Sequence, residues 1–181
     1  KYPHPIPTYE DYANTAARLV ASKYGDSPKA PTLFVEPGTA LVADTFQFVT
    51  RVVETKTIRS QNLAFVAGSI FNISPYAKTS GLPATILHAN AEAKKDSEAK
   101  EQWNVVGYTC IEGDVLTKDL TGPIAPGDFI IYGNVGSYSI VMKPPFILPN
   151  VPILRSSGSD GKIDLIRKAE TNEYPFQNFE F

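Results

Sequence analysis

A single cysteine, Cys110, is all the thiol chemistry that the 181-residue sequence contains. An internal disulfide is therefore excluded, and a reducing, cytoplasmic compartment is expected. Histidine is nearly as scarce. His4 and His88 lie far apart with no cysteine beside either, which argues against a structural zinc site, and no metal is expected. Long apolar runs are missing too: stretches such as Phe129 to Tyr132 fall far short of the roughly 20 residues that span a bilayer, so no membrane partner is expected. Charge does not accumulate either. With 17 basic against 19 acidic residues and no basic cluster among aromatics, nucleic acid is not an expected partner. The chain opens Lys1-Tyr2-Pro3-His4 without an initiator Met or a leader, and is expected to start inside a longer reading frame.

What is present reads as a folded chain with two characters. Thr8 is placed to cap a helix whose first turn holds Glu10 and Asp11, and Tyr9, Tyr12, Ala13, Ala16, Leu19, Val20 and Tyr24 recur at helical spacing up to a stop at Gly25. The apolar run Thr32-Leu33-Phe34-Val35 then reads as a buried parallel strand, completing one helix–strand step of an α/β layer. From about residue 45 the sequence turns to short β-branched and aromatic runs: 46–55, 62–66, 84–88, 105–109, 129–132, 139–142 and 151–154. Turn dipeptides such as Ser80-Gly81, Gly122-Pro123, Pro126-Gly127 and Ser157-Gly158 separate them. That pattern predicts a mainly β fold, a sandwich or barrel. Residues 91–102 read as a solvated surface excursion, and 163–168 as the opening of a terminal helix.

Three stretches can carry chemistry. Glu36-Pro37-Gly38-Thr39 places an acid at the end of the first apolar run, where α/β proteins gather their active-site groups; Glu36 either pairs with a cationic ligand atom or reaches water. In Tyr108-Thr109-Cys110-Ile111-Glu112-Gly113-Asp114, a thiol beside two carboxylates suits proton donation better than nucleophilic attack, although a lone cysteine is more often plain packing. Gly133-Asn134-Val135-Gly136-Ser137-Tyr138 could bring backbone and a phenol to a phosphate, with a hairpin turn as the simpler reading.

Taken in order, these stretches resemble the fold-type III pyridoxal-phosphate decarboxylases that act on diaminopimelate, ornithine and arginine. Glu36-Pro37-Gly38 is similar to the family's Glu-Pro-Gly-Arg motif, and Ala40-Leu41-Val42-Ala43 fits its sequel. Cys110 to Asp114, with Val115-Leu116, resembles the Cys-x-x-x-Asp motif. Gly127-Asp128 and Gly136-Ser137-Tyr138 resemble the Pro-Gly-Asp and Gly-Ala-Tyr pair, Phe146 falls where an aromatic is common, and Ile166 to Thr171 resembles the closing Arg-x-Glu-Thr segment.

The resemblance implies that residues 1–43 are the last helix and strand of an α/β (TIM-type) barrel, and residues 44–181 a C-terminal β-sandwich or barrel domain. It implies a parent carboxy-lyase using pyridoxal 5'-phosphate, with the Schiff-base lysine upstream of this chain, and a homodimer with an amino-acid-like substrate bound at the interface. Carried over, Glu36 pairs with the cofactor ring nitrogen, Tyr138 binds the phosphate, Cys110 is the catalytic proton donor, and Glu112 and Phe146 meet substrate. By the same resemblance the fragment alone is inactive. Thr39 departs from the family's phosphate-gripping Arg, Ile111 from a common substrate-reading acid, and Val66-Ala67-Gly68-Ser69 from its usual Asp-Gly. A catalytically silent regulatory relative and a free-standing β-domain binding module are the alternatives.

Overall fold

In the computed structural model, residues 7–74, 81–90, 101–157 and 161–180 are described; His4 and residues 91–100 of the expected surface excursion lie outside them, as do Ser80 and Gly158 of the turn dipeptides. The chain divides into two compact units, Lys1–Leu41 and Val42–Phe181.

The first unit is built on helix α1, Tyr9–Tyr24. Thr8 is its cap: the Oγ accepts from the Asp11 amide at 3.2 Å, while the Asp11 carboxylate accepts from the Thr8 amide at 2.7 Å. This reciprocal box satisfies amides that a helix start otherwise leaves unpaired. The Thr8 amide and hydroxyl hold the Asp11 carboxyl below its usual value. Gly25 ends the helix with its amide on the Ala21 carbonyl at 2.7 Å. The α1 face bearing Tyr9, Tyr12, Ala13 and Ala16, together with Leu33 and Val35, lines an apolar groove of about 660 Å³. The strand expected at 32–35 is not one. A strand is defined by its ladder, and among the described residues nothing pairs with this run, whose Phe34 stays 85% exposed.

The second unit is mainly β. Six strands, β1 (Phe48–Ile58), β2 (Gln61–Val66), β3 (Ala84–Leu87), β4 (Gln102–Val106), β5 (Val115–Thr121) and β6 (Phe129–Tyr132), form a curled sheet in the order β3-β6-β1-β2-β4-β5. Every pairing is antiparallel except β2 with β4. Strand β1 is the hinge of the sheet: Phe48 to Arg51 pair with β6, and from Val52 onward the partner is β2. Between Val52 and Glu54 the register shifts, a bulge that turns the strand from one partner to the other. Phe48, Thr50 and Val52 point inward and join a core whose Ala64, Val66, Ile70, Val105, Leu116, Ile130 and Tyr132 are at most 1% exposed. The buried Tyr132 hydroxyl accepts from Thr117 at 3.1 Å, and burial pushes the phenol well above its usual pKa.

Strands β7 (Ile153–Ser156) and β8 (Ile163–Arg167) form a separate antiparallel pair. The helix expected at 163–168 is therefore strand β8: Leu165 pairs with Leu154, and Asp164 accepts from Arg155 at 2.9 Å, so hairpin pairing overrides local preference. Other expectations shift for equally local reasons. The run at 105–109 becomes β4 ending at Val106, because the Gly107 amide turns to the Asp114 carbonyl. At 139–142 the chain turns, with the Met142 amide on the Tyr138 carbonyl. The expected strand at 151–154 starts only after Pro152, which has no amide for a ladder. Strand β5, polar at Lys118 and Asp119, was not expected at all.

The segment after β6 is not the hairpin turn that its glycines suggest. It runs beside residues 43–46, with the Gly136 amide on the Ala43 carbonyl at 2.9 Å. A Cβ on Gly136 would lie 1.8 Å from the Val42 carbonyl oxygen, whereas one on Gly113 would meet nothing within 4 Å. Gly136→Ala should therefore cost at least the ~1–3 kcal/mol typical of overpacking, while Gly113→Ala should be nearly silent. Urea midpoints of the two variants measure the difference.

Candidate functional site

The chemistry of the Cys110 stretch is set by an acid at its far end. Asp114 is 3% exposed. One of its oxygens accepts from the Ser69 hydroxyl at 3.0 Å and the Ile70 amide at 2.6 Å; the other accepts from the Thr109 amide at 3.0 Å and the Thr109 hydroxyl at 2.7 Å. A buried carboxylate is tolerable only with such a set of donors. The backbone adds three ties: Gly107 amide to Asp114 carbonyl, Tyr108 amide to Gly68 carbonyl, and Asp114 amide to Ile111 carbonyl, at 2.8, 3.1 and 2.9 Å. Gly107 must be glycine, since a Cβ there would fall 2.2 Å from the Asp114 carboxylate. Burial, and then the Asp114 charge, push the nearby Tyr108 phenol up.

With both ends pinned, the loop exposes its tip. Cys110, Ile111 and Glu112 all face solvent, and Cys110 is a free thiol. The structure thus brings two of the expected site residues, Cys110 and Glu112, onto one anchored loop. It places Tyr138 after Gly136, 47% exposed, at φ +65°, with its hydroxyl unbonded among the described residues. The glycine-backbone phosphate site read from this stretch is not available at Gly136, whose amide is committed to Ala43. Phe146 is 42% exposed on a later loop. Glu36 belongs to the first unit, exposed where the chain turns after Val35.

Sequence reading missed a second buried acid, Asp128. It accepts from the Ala89 and Ala125 amides, each at 3.0 Å, and lies 2.9 Å from the His88 ring. Its own amide donates to the Ala125 carbonyl, while its carbonyl accepts from the Val52 amide and the Gly127 amide donates to the Val52 carbonyl, which holds the 125–128 turn against Val52. Burial would raise its pKa, but the two amides and the imidazole outweigh this and hold the carboxyl below its usual value. The signal that could have found it was the Gly127-Asp128 motif itself. Among the described residues no group of three or more His, Cys, Asp or Glu could hold a metal, and no helix is long and apolar enough to cross a membrane.

A curled sheet carrying a cysteine loop locked by a buried aspartate defines a class. The profile of the pyridoxal-dependent decarboxylase C-terminal sheet domain matches residues 19–136. The chain belongs to this family. It is 32% identical over 141 residues to a diaminopimelate decarboxylase of Archaeoglobus fulgidus, covering 77% of this chain and 32% of the relative. It is 29% identical over 168 residues to a probable chloroplastic diaminopimelate decarboxylase of Oryza sativa, covering 92% and 32%. A carboxynorspermidine/carboxyspermidine decarboxylase of Herminiimonas arsenicoxydans is 25% identical over 143 residues, covering 78% and 37%. In fold it is similar to a crystal structure of diaminopimelate decarboxylase (TM-score 0.82, 20% identity, 97% of this chain and 44% of that one). It is also similar to the M. jannaschii enzyme in complex with L-lysine (TM-score 0.81, 22% identity, 100% and 40%). The chain spans about a third of the length of the curated relatives it matches.

Two predictions follow from the buried acids. Asp114→Asn replaces an acceptor by an amide that must face donors, which costs ~1–3 kcal/mol for an unpaired buried group, and should speed Cys110 alkylation as the loop loosens. Urea midpoints and thiol-labelling rates check both. Asp128 binds its proton less readily folded than unfolded, so its stabilisation is complete above the usual carboxylate range and is lost as pH falls through the depressed folded value. Asp128→Asn should flatten that acid limb, read as the urea midpoint against pH.

Proposed function

We propose that this chain is the C-terminal part of a pyridoxal-phosphate-dependent amino-acid decarboxylase and supplies its proton donor. The observation that carries the reading is the solvent-facing Cys110 thiol on a loop whose two ends are held by the buried Asp114. Such a loop fixes where the sulfur stands while leaving it accessible, which general acid catalysis requires.

Each unit, taken by itself, carries a group whose chemistry suits the cofactor. Glu36 offers an exposed carboxylate for a protonated ring nitrogen, and the Tyr138 hydroxyl is a donor with no competing partner among the described residues, suited to a phosphate oxygen. Thr39 supplies no positive charge at the turn after Glu36, so the complete enzyme either holds the phosphate with other groups or binds it less tightly. Once bound, pyridoxal phosphate supplies an electron sink for the charge left when a carboxylate departs as carbon dioxide. The rest falls to the protein. Cys110 delivers its proton to the carbon that lost the carboxylate, and recovers one from solvent at the exposed loop tip. Glu112, two residues on, reads the distal end of the substrate, because Ile111 has no charge to offer. Phe146 forms an apolar wall of the site, with the substrate bound between two copies of the enzyme in a cytoplasmic homodimer.

Family membership and the activities of the relatives support an amino-acid-like substrate. In the complete enzyme, Cys110→Ala should retain bound cofactor, read from its visible absorbance, and lose ~10²–10⁴-fold in kcat. Unchanged turnover would show that the Cys110 thiol takes no part in the proton transfer. Glu112→Gln should cut kcat/KM about tenfold for a substrate with a cationic tail, as loss of a ~1.5 kcal/mol charged hydrogen bond implies, and leave a neutral-tailed analogue unaffected. Equal effects on the two substrates would place Glu112 in water during catalysis.

A further inference from the structure

The loop that carries Phe146 is held by a set of polar and charged groups that the mechanism above does not use; Glu170 lies in the stretch that resembles the family's closing segment, whereas Lys143 lies outside every such stretch. Residues 144–148 are exposed, yet the residues flanking that stretch are not: Lys143 is 7% and Asn150 9% exposed. The Lys143 ammonium folds back into its own loop, donating to the Pro144 and Leu148 carbonyls, both at 3.2 Å. At the other end the Asn150 amide and side-chain amide donate to the two Glu170 oxygens, each at 2.9 Å, and the Glu170 amide returns a bond to the Asn150 carbonyl at 3.0 Å. Arg167 adds a bond to the Val151 carbonyl at 3.0 Å.

The groups share one electrostatic environment. Burial lowers the Lys143 pKa, opposed by Glu170 and reinforced by Arg167, while Glu170 is held below its usual value because the Asn150 donors and the two cations outweigh its own burial. Burying an ammonium is costly, and a surface loop has no need of it unless its shape matters. The backbone is constrained to match. Pro144, Pro145 and Pro149 fix three φ angles, and Ile147 sits at φ +66°, a rare conformation for a β-branched residue. What this arrangement displays is three consecutive apolar side chains, Phe146, Ile147 and Leu148, each between 42% and 53% exposed.

We propose that Lys143 and the Asn150–Glu170 pair are positioning residues: a polar clamp that holds a rigid 144–149 finger so that Phe146 meets the substrate at a fixed place. The proposal rests on the functional reading above for what Phe146 touches, but not for the clamp itself. Two readouts on the complete enzyme keep these apart. Amide exchange reads the clamp without any activity. Lys143→Met should speed exchange at Leu148 and Asn150 by about tenfold or more and leave the core strands β1, β2 and β6 protected. Glu170→Gln, which cuts the clamp from the other end, should do the same at Asn150. Unchanged protection of the finger in both variants, or loss of protection throughout the sheet in both, overturns the clamp.

Kinetics read its purpose. Lys143→Met should lower kcat/KM about tenfold or more, mainly through KM, yet lower it less than about twofold when added to Phe146→Ala, because the finger then has nothing left to position. Additive losses would make Lys143 a general stabiliser and sink the positioning role. A complete enzyme that decarboxylates no amino acid would refute the functional reading, and amide exchange would still decide the clamp.

Discussion

The buried Asp114 carboxylate is the constraint on which the Cys110 loop depends. Its four acceptor contacts reach two separate parts of the chain: the turn after β2, through Ser69 and Ile70, and the start of its own loop, through Thr109. One charged group thus converts a surface loop with no regular structure into a fixed platform for Cys110. Removing a single donor leaves part of that charge uncompensated, which is why Ser69 and Thr109 belong to the site although neither need touch a substrate, and Gly107 joins them because a Cβ there would collide with the carboxylate.

The sheet gives this platform its foundation. The bulge at Val53 lets β1 serve β6 on one side and β2 on the other, and the second buried acid, Asp128, locks the incoming turn against the bulge through the paired amide and carbonyl at Val52. The loops after β2 and β4 and the segment after β6 therefore spring from one continuous core. Two loops share one design, an exposed tip over buried polar residues: Cys110 to Glu112 over Asp114, and residues 144–148 over Lys143 and Asn150.

The most legible parts of the sequence were those written in local chemistry. Thr8 and Asp11 announce α1, the β-branched runs announce β1, β2 and β6, and the spacing of Cys110 and Asp114 carries the family. What stayed hidden depends on partners distant in sequence. Residues 32–35 have strand composition but nothing to pair with among the described residues. Residues 163–167 have a helical look, yet Leu154 and Arg155 capture them as β8. Gly136 reads as part of a hairpin turn, or else as backbone open to a phosphate, and is instead small because the Val42 carbonyl lies against it. Lys143 reads as any surface lysine; its burial depends on where residues 144 and 148 place their carbonyls, which no spacing rule encodes.

The central proposal is that Asp114 holds the loop so that Cys110 delivers its proton to one face of the reacting carbon. The direct measurement is decarboxylation by the complete enzyme in deuterated water, with the configuration of the labelled carbon read by NMR, for wild type and Asp114→Asn. The account predicts one deuterium in a single configuration for wild type, and slower turnover with scrambled configuration for the variant. An Asp114→Asn enzyme that delivers the same single configuration at an undiminished rate would contradict it.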